Sequence, residues 1–279
     1  MDSSVDRGPA RTRNGHDVWT LPGTGDTISV VNHDKAAGAV PFQRGDMPPR
    51  AYRRQEPGEV PPNDTPAYGS TTLRHPTQPL VIMLPTLSEM TGPAHGEASV
   101  GELDHDLTRQ HAGEPLGERI VIAGRVLDED ERPVPHTLVE IWQANAAGRY
   151  AHARDTHDAP LDVNFSGAGR VLTDAEGRYR FVTVKPGAYP WNNHYNAWRP
   201  AHVHVSVFGQ SFLTRLVTQM YFPGDPLLAL DPIFNSIASE PARLRLVSAF
   251  DLALTEPVRA LGYRFDVVLR GSHATPTGL

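Results

Sequence analysis

From Gly117 onward the apolar residues of this chain gather into short runs, each closed by Gly, Pro or Asp. Runs of that length, rich in Val and Ile and separated by turn residues, specify strands. "ERIVIAGRVLDED" (Glu118 to Asp130) predicts a strand and a turn, and "RPVPHTLVEIWQA" (Arg132 to Ala144) a second strand. "GRVLTDAEGRYRFVTVKPG" (Gly169 to Gly187) predicts two strands around an Asp-Ala-Glu-Gly turn. "AHVHVSVFG" and "LVTQMYFPGD" add two more, and "YRFDVVLRG" (Tyr263 to Gly271) the last. "SEPARLRLVSAFDLAL" (Ser239 to Leu254) reads as the one late helix or loop excursion. Many short strands between Gly, Pro and Asp turns predict a mainly β protein, an antiparallel β-sandwich with long loops.

The first half follows another pattern. Residues 1–57 mix Gly, Pro, Arg and Asp with short apolar pieces such as "TISVV", which predicts an N-terminal extension, weakly ordered or wrapping. Residues 58–116 read as an extended segment placed at an interface and a cavity edge. Within it, the proline punctuation of "PPNDTPAYGSTTLRHPTQPL" (Pro61 to Leu80) predicts extended chain and no helix. "GELDHDLTRQ" (Gly101 to Gln110) predicts a short helix or an acidic loop. Residues 117–279 form the expected sandwich.

Composition narrows the chemistry. Among 279 residues there are 26 prolines and 24 glycines, more punctuation than a helical bundle tolerates. The net charge of −6, with no long basic stripe, argues against nucleic acid as a partner. There is no apolar leader and no stretch approaching a membrane span, so the cytoplasm is the expected compartment. The chain has no cysteine, which excludes disulfides and thiolate metal sites. Any metal must be held by His, Tyr, Asp or Glu.

One stretch stands out for that purpose. In "YNAWRPAHVHVSVFG" (Tyr195 to Gly209), His202 and His204 lie two residues apart on a predicted strand and project from the same face. Two imidazoles aimed at one point are a frequent metal arrangement, against the plainer reading of a polar pair on a solvated face. Tyr150 and Tyr189 can complete such a site, and His152, His157 and His194 flank the same loops. A phenol ligates only when the metal removes its proton, which a trivalent ion does readily. Two tyrosinates and a hydroxide balance a 3+ charge and leave the imidazoles neutral, which favours ferric iron over zinc.

"VEIWQANAAGRY", "APLDVNFSGAGR", "YRFVTVKPGAYPW", "WRPAHVHVSVFG" and "QMYFPGDP" resemble, in order and separation, the ferric non-haem intradiol ring-cleaving dioxygenases. The resemblance runs from about Pro61 to Gly271 and is nearest to the β chains of the two-chain branch that opens protocatechuate. It implies one Fe(III) per chain held by Tyr150, Tyr189, His202 and His204 with a hydroxide. Tyr189 and His204 would be axial, Tyr150 and His202 equatorial. It further implies Arg199 as the catalytic arginine, Tyr189 as a built-in base, Gln219 at the same pocket, and Tyr68, Trp191 and Ile233 lining the substrate cavity. The partners implied are a homologous α subunit, a small aromatic diol and O2.

The chain departs from the family in one place: Asn192 to His194 stand where Arg-Asn-Gly is common, which removes a positive charge near the cavity mouth. Two other readings share features with this one. Homodimeric catechol and hydroxyquinol 1,2-dioxygenases carry the same ligands but usually a helical N-terminal region not evident here. "GRVLDEDERPVPHTLVEIW" with "TDAEGRYRF" also resembles prealbumin-like sandwiches that serve as metal-free binding modules.

Overall fold

The computed structural model describes residues 10–11, 16–20, 27–31, 56, 58–78, 100–194, 197–208 and 215–277. Two compact units divide the chain, Met1–Ala51 and Tyr52–Leu279. In the first, β1 (Ala10–Arg11), β2 (His16–Thr20) and β3 (Thr27–Val31) form an antiparallel sheet in that order, and β3 is the apolar piece TISVV. Most of the remaining extension expected over 1–57 lies outside the described residues.

In the second unit the strands are β4 (Arg119–Leu127), β5 (Leu138–Trp142), β6 (Ala168–Leu172), β7 (Arg178–Val184), β8 (Tyr189–Trp191), β9 (Ala197–Arg199), β10 (His202–Phe208), β11 (Arg215–Tyr221), β12 (Ala249–Phe250), β13 (Leu261–Arg264) and β14 (Val267–Val268). One sheet runs β11-β10-β5-β6 and is antiparallel throughout. The other runs β12-β13-β4-β14, with β7 paired antiparallel to β4. Val139 and Ile141 of β5 and Val203, Val205 and Val207 of β10 meet Ile120, Ile122 and Val126 of β4 and Phe181 of β7 in one core. Full burial of each such side chain is worth roughly 1.5–3 kcal/mol, and the alternation that points them inward points His202 and His204 the other way. The expected sandwich is therefore present. Its second sheet is mixed, because β13 and β14 run parallel to the free edge of β4.

Local patterns were met with two differences. The Asp-Ala-Glu-Gly turn forms around Asp174, whose carboxylate accepts the Glu176 and Arg178 N–H groups at 3.0 and 2.8 Å. Yet β6 pairs with β5 and β7 with β4, so this turn carries the chain from one sheet to the other. The second difference is a helix, α1 (Gly69–Arg74), inside the stretch expected to be extended. Pro66 and Pro76 bracket it and no proline interrupts its six residues, so proline bounds this helix without forbidding it. The buried Thr71 hydroxyl accepts the Thr65 N–H at 2.9 Å and anchors the helix to the preceding loop.

Residues 101–110 contain no helix; they make turns that seat Leu107, fully buried, against β7 through its N–H to the Val182 carbonyl at 2.9 Å. The late excursion holds a helix over Glu240–Leu244 followed by β12. Ahead of it lie a 3-10 turn (Pro226–Leu230) and α2 (Pro232–Ser236), each with an aspartate at the N-cap, Asp225 and Asp231, and proline at the first turn. No helix among the described residues is long and apolar enough to cross a membrane.

Candidate metal centre

Strand register assembles the site. His202 and His204 share the outer face of β10, directly across from Tyr221 and Gln219 on β11. On its other edge His204 opposes Trp142 of β5, and the two rings stack at 4.8 Å and 2°. Trp142 is thus the wall behind His204. In the β8–β9 ladder Tyr189 opposes Arg199 and Trp191 opposes Ala197, which puts the tyrosine and the arginine on one face.

Tyr150 comes from the loop after β5. Asn145 Oδ1 accepts the Ala147 and Arg149 N–H groups, both at 3.0 Å, and Asp155 Oδ2 accepts the Tyr150 N–H at 2.7 Å. Gly148 lets this loop meet the one bearing Tyr189. Its φ is +81°, and a Cβ there would lie 2.1 Å from the Ala188 carbonyl oxygen.

Four rings converge as a result. Tyr150 and Tyr189 meet edge to face at 5.4 Å, His202 and His204 at 4.9 Å, Tyr189 and His202 at 5.4 Å, and Tyr150 and His204 at 6.4 Å. The Pro200 carbonyl lies 2.7 Å from His202 Nδ1 and can only accept, so Nδ1 carries the proton. Nε2 then presents its lone pair, which accepts the Tyr189 O–H at 3.2 Å. The Tyr150 hydroxyl is buried and has no hydrogen-bond partner. Such a group is costly in a metal-free protein and is what an absent ligand would leave behind.

Electrostatics agree with the geometry. Burial pushes both phenols above their ordinary value, Tyr150 strongly so with the neighbouring Tyr189 adding to it, while Arg199 opposes the shift at both. Burial and then the Arg199 charge hold both imidazoles below their ordinary value, His204 down to about 3. At neutral pH the cluster is therefore four neutral groups, two hydroxyls and two imidazoles. Among the described residues no three His, Asp or Glu side chains converge as an alternative set. Tyr150, Tyr189, His202 and His204 could hold a hard cation able to displace two phenolic protons.

Beside them Arg199 is almost fully buried and heavily bonded. Its Nε donates to Asp231 Oδ1 at 2.9 Å, and its Nη2 donates to Asp231 Oδ2 at 3.2 Å, to the Tyr221 hydroxyl at 3.0 Å and to Gln219 Oε1. Burial works against its charge, yet Tyr221, Asp231 and Tyr189 together hold the guanidinium above its ordinary value. Tyr221 and Asp231 were not singled out from sequence. The Asp-Pro pair at 231–232 marks a helix start, but nothing local says that this aspartate reaches an arginine 32 residues away.

The residues expected to line a substrate cavity also come together. Trp191, Ala197 and Ile233 form one apolar cluster with Tyr68 and Tyr189 packed against it, and Tyr68 meets Trp191 at 4.6 Å. Tyr68 is the N-cap of α1, so the helix that proline was expected to prevent is what presents it. Two of the other histidines of these loops have other contacts: His152 accepts the Arg154 N–H at 3.1 Å, and His157 packs on Trp198 at 5.8 Å.

Residues 90–271 match a family model described as dioxygenase, and residues 52–86 one described as protocatechuate 3,4-dioxygenase beta subunit N terminal. The chain is 62% identical over 213 residues to the protocatechuate 3,4-dioxygenase beta chain of Burkholderia cepacia, covering 76% of this chain and 90% of that one. It is 34% identical over 162 residues to the alpha chain of that enzyme from the same organism, covering 57% and 76%. Among solved structures, 3-chlorocatechol 1,2-dioxygenase from Rhodococcus opacus 1CP matches with a TM-score of 0.46 and 21% identity, over 61% of this chain and 66% of that one. The chain belongs to the intradiol dioxygenase family and groups within it with the beta chains of protocatechuate 3,4-dioxygenase.

Proposed function

We propose that this chain is the iron-bearing β chain of a protocatechuate 3,4-dioxygenase. It takes protocatechuate and O2 to 3-carboxy-cis,cis-muconate, with both oxygen atoms entering the product. Tyr150, Tyr189, His202 and His204 hold one Fe(III). The observation that carries this ligand set is the buried, partnerless Tyr150 hydroxyl among three other potential donors. When bound, ferric iron supplies Lewis acidity that depresses the phenol and catechol pKa values and activates the catecholate toward O2. The names of the B. cepacia relatives, beta chain and alpha chain of one enzyme, support a homologous α chain as the partner.

Each residue of the chain then has a task. The Pro200 carbonyl fixes the His202 tautomer, and Trp142 holds the His204 ring by stacking. The Tyr189 phenolate accepts one proton of the incoming catechol, a base already in the substrate's reach. Arg199 stabilises negative charge that builds on the substrate, an effect worth roughly 2–4 kcal/mol in comparable sites. Tyr68, Trp191 and Ile233 give the aromatic ring an apolar wall and exclude water from it.

Oxygen uptake tests the reading. The chain co-expressed with its α chain is expected to consume O2 with protocatechuate and far more slowly with catechol. Equal rates on both substrates would point to a catechol 1,2-dioxygenase, and no uptake by an iron-loaded assembly would overturn the proposal.

A further inference from the structure

We infer that Asp231 is a positioning residue that orients Arg199 for the reaction and couples it to the helix carrying Ile233, an inference that rests on the functional reading above. Asp231 is fully buried and Arg199 nearly so. A carboxylate in that setting is tolerated only when charge and hydrogen bonds compensate it. Asp231 meets the Nε and Nη2 edge of the guanidinium with both oxygens, at 2.9 and 3.2 Å. This two-point contact fixes the plane of the group, which a single contact does not.

The opposite side of the guanidinium is left available. Nη2 is shared among Asp231, Tyr221 and Gln219, whereas Nη1 has no hydrogen-bond partner among the described residues. The donors remaining for charge outside the protein are thus those of Nη1. Tyr221 accepts from Nη2 and can donate its one proton either to Gln219 Oε1 at 2.7 Å or to Asp231 Oδ2 at 3.0 Å, the two other acceptors of Nη2.

The same carboxylate has a second role. Asp231 Oδ1 accepts the backbone N–H of Ile233 at 3.3 Å as the N-cap of α2. One oxygen atom therefore ties the arginine to the backbone of a cavity-wall residue. A shift of the guanidinium and a shift of that wall cannot be independent, and misplacement on the scale of 1 Å costs about 10²-fold in comparable sites.

The test uses the αβ assembly and the Asp231→Asn variant. Asparagine caps a helix about as well as aspartate, so α2 is retained while the charge and the paired acceptor are lost. The expected result is unchanged iron content and unchanged tyrosinate-to-iron absorption in the visible, with kcat lowered about tenfold or more and KM changed about threefold or less. In an Arg199→Ala background the same substitution is expected to cause no further loss of kcat, because a residue acting through Arg199 has nothing left to orient. Turnover within about twofold of the parent, or equal losses in both backgrounds, overturns the inference. Should Asp231→Asn fail to assemble, Asp231→Glu keeps the charge but displaces it by one methylene. It is expected to load iron and lose kcat in the same non-additive way, and parental turnover in it also overturns the inference. A parent assembly that itself shows no protocatechuate-dependent O2 uptake would sink the functional reading instead.

Discussion

Tyr189 faces Arg199 directly across the β8–β9 ladder, while its hydroxyl reaches His202 Nε2 at 3.2 Å on the neighbouring strand β10. One phenol is thus shared between the donor cluster and the arginine network. Arg199 acts on that phenol through its charge, which opposes the upward shift that burial causes.

Tyr150→Phe should move stability and metal binding in opposite directions. Its hydroxyl is buried without a partner, so removing it relieves a desolvation penalty and should raise the stability of the metal-free chain by about 1 kcal/mol. Iron content and the red-brown tyrosinate band should fall sharply. Thermal melting of the iron-stripped protein and iron analysis of the loaded one check the two halves. A variant that keeps full iron and an unchanged band would remove Tyr150 from the ligand set.

Metal uptake should release protons. Both phenols are held above their ordinary value and so are protonated below pH ~10, whereas both imidazoles are held below theirs and are neutral at pH ~7, each with one ring nitrogen free of a proton. Binding through two phenolates must expel two protons, so log affinity should rise by about two for each pH unit between roughly 7 and 9, and more if a metal-bound water also ionises. Competition against a chelator of known proton dependence measures the slope. A slope of about one or less contradicts ligation by two tyrosines.

Arg199→Ala should leave iron and colour in place while slowing turnover by roughly 10²-fold. It should also lower stability by about 3–5 kcal/mol, since Asp231 is left as an unpaired buried carboxylate. Arg199→Lys should recover little, because an ammonium cannot reproduce the two-point contact with Asp231. Steady-state kinetics at saturating protocatechuate decide this, and near-parental turnover in the alanine variant would contradict it.

The chain without its α partner should be poorly soluble or nearly inactive on protocatechuate. Leu116, Val163, Leu230 and Leu252 are 75, 85, 71 and 77% exposed, large apolar side chains open to burial by a partner. An interface of the obligate kind buries roughly 2,000 Å² or more. Asn192 to His194 also leave a positive charge near the cavity mouth to be supplied from outside this segment. Light scattering and oxygen uptake on the single chain check the prediction. A stable, iron-loaded homo-oligomer with full activity would show that no partner is required.

What was legible in the sequence is what short-range geometry controls. His202 and His204 had to share a face because side chains on a strand repeat every two residues. Asp174 and Gly177 had to turn the chain, because turn and φ preferences act over a few residues. The resemblance of the ordered motifs then carried the family. Tertiary structure decided which groups meet. The ladder registers set Tyr189 against Arg199 and Trp142 against His204, and they sent β6 and β7 to different sheets although a tight turn joins them. They also brought Asp231 and Tyr221 to the arginine, and α1 brought Tyr68 to Trp191. Those contacts depend on pairing between segments tens of residues apart, which no local preference encodes. Burial then set the protonation of the cluster, because desolvation acts on a phenol or an imidazole only once the sandwich and its loops have closed around it.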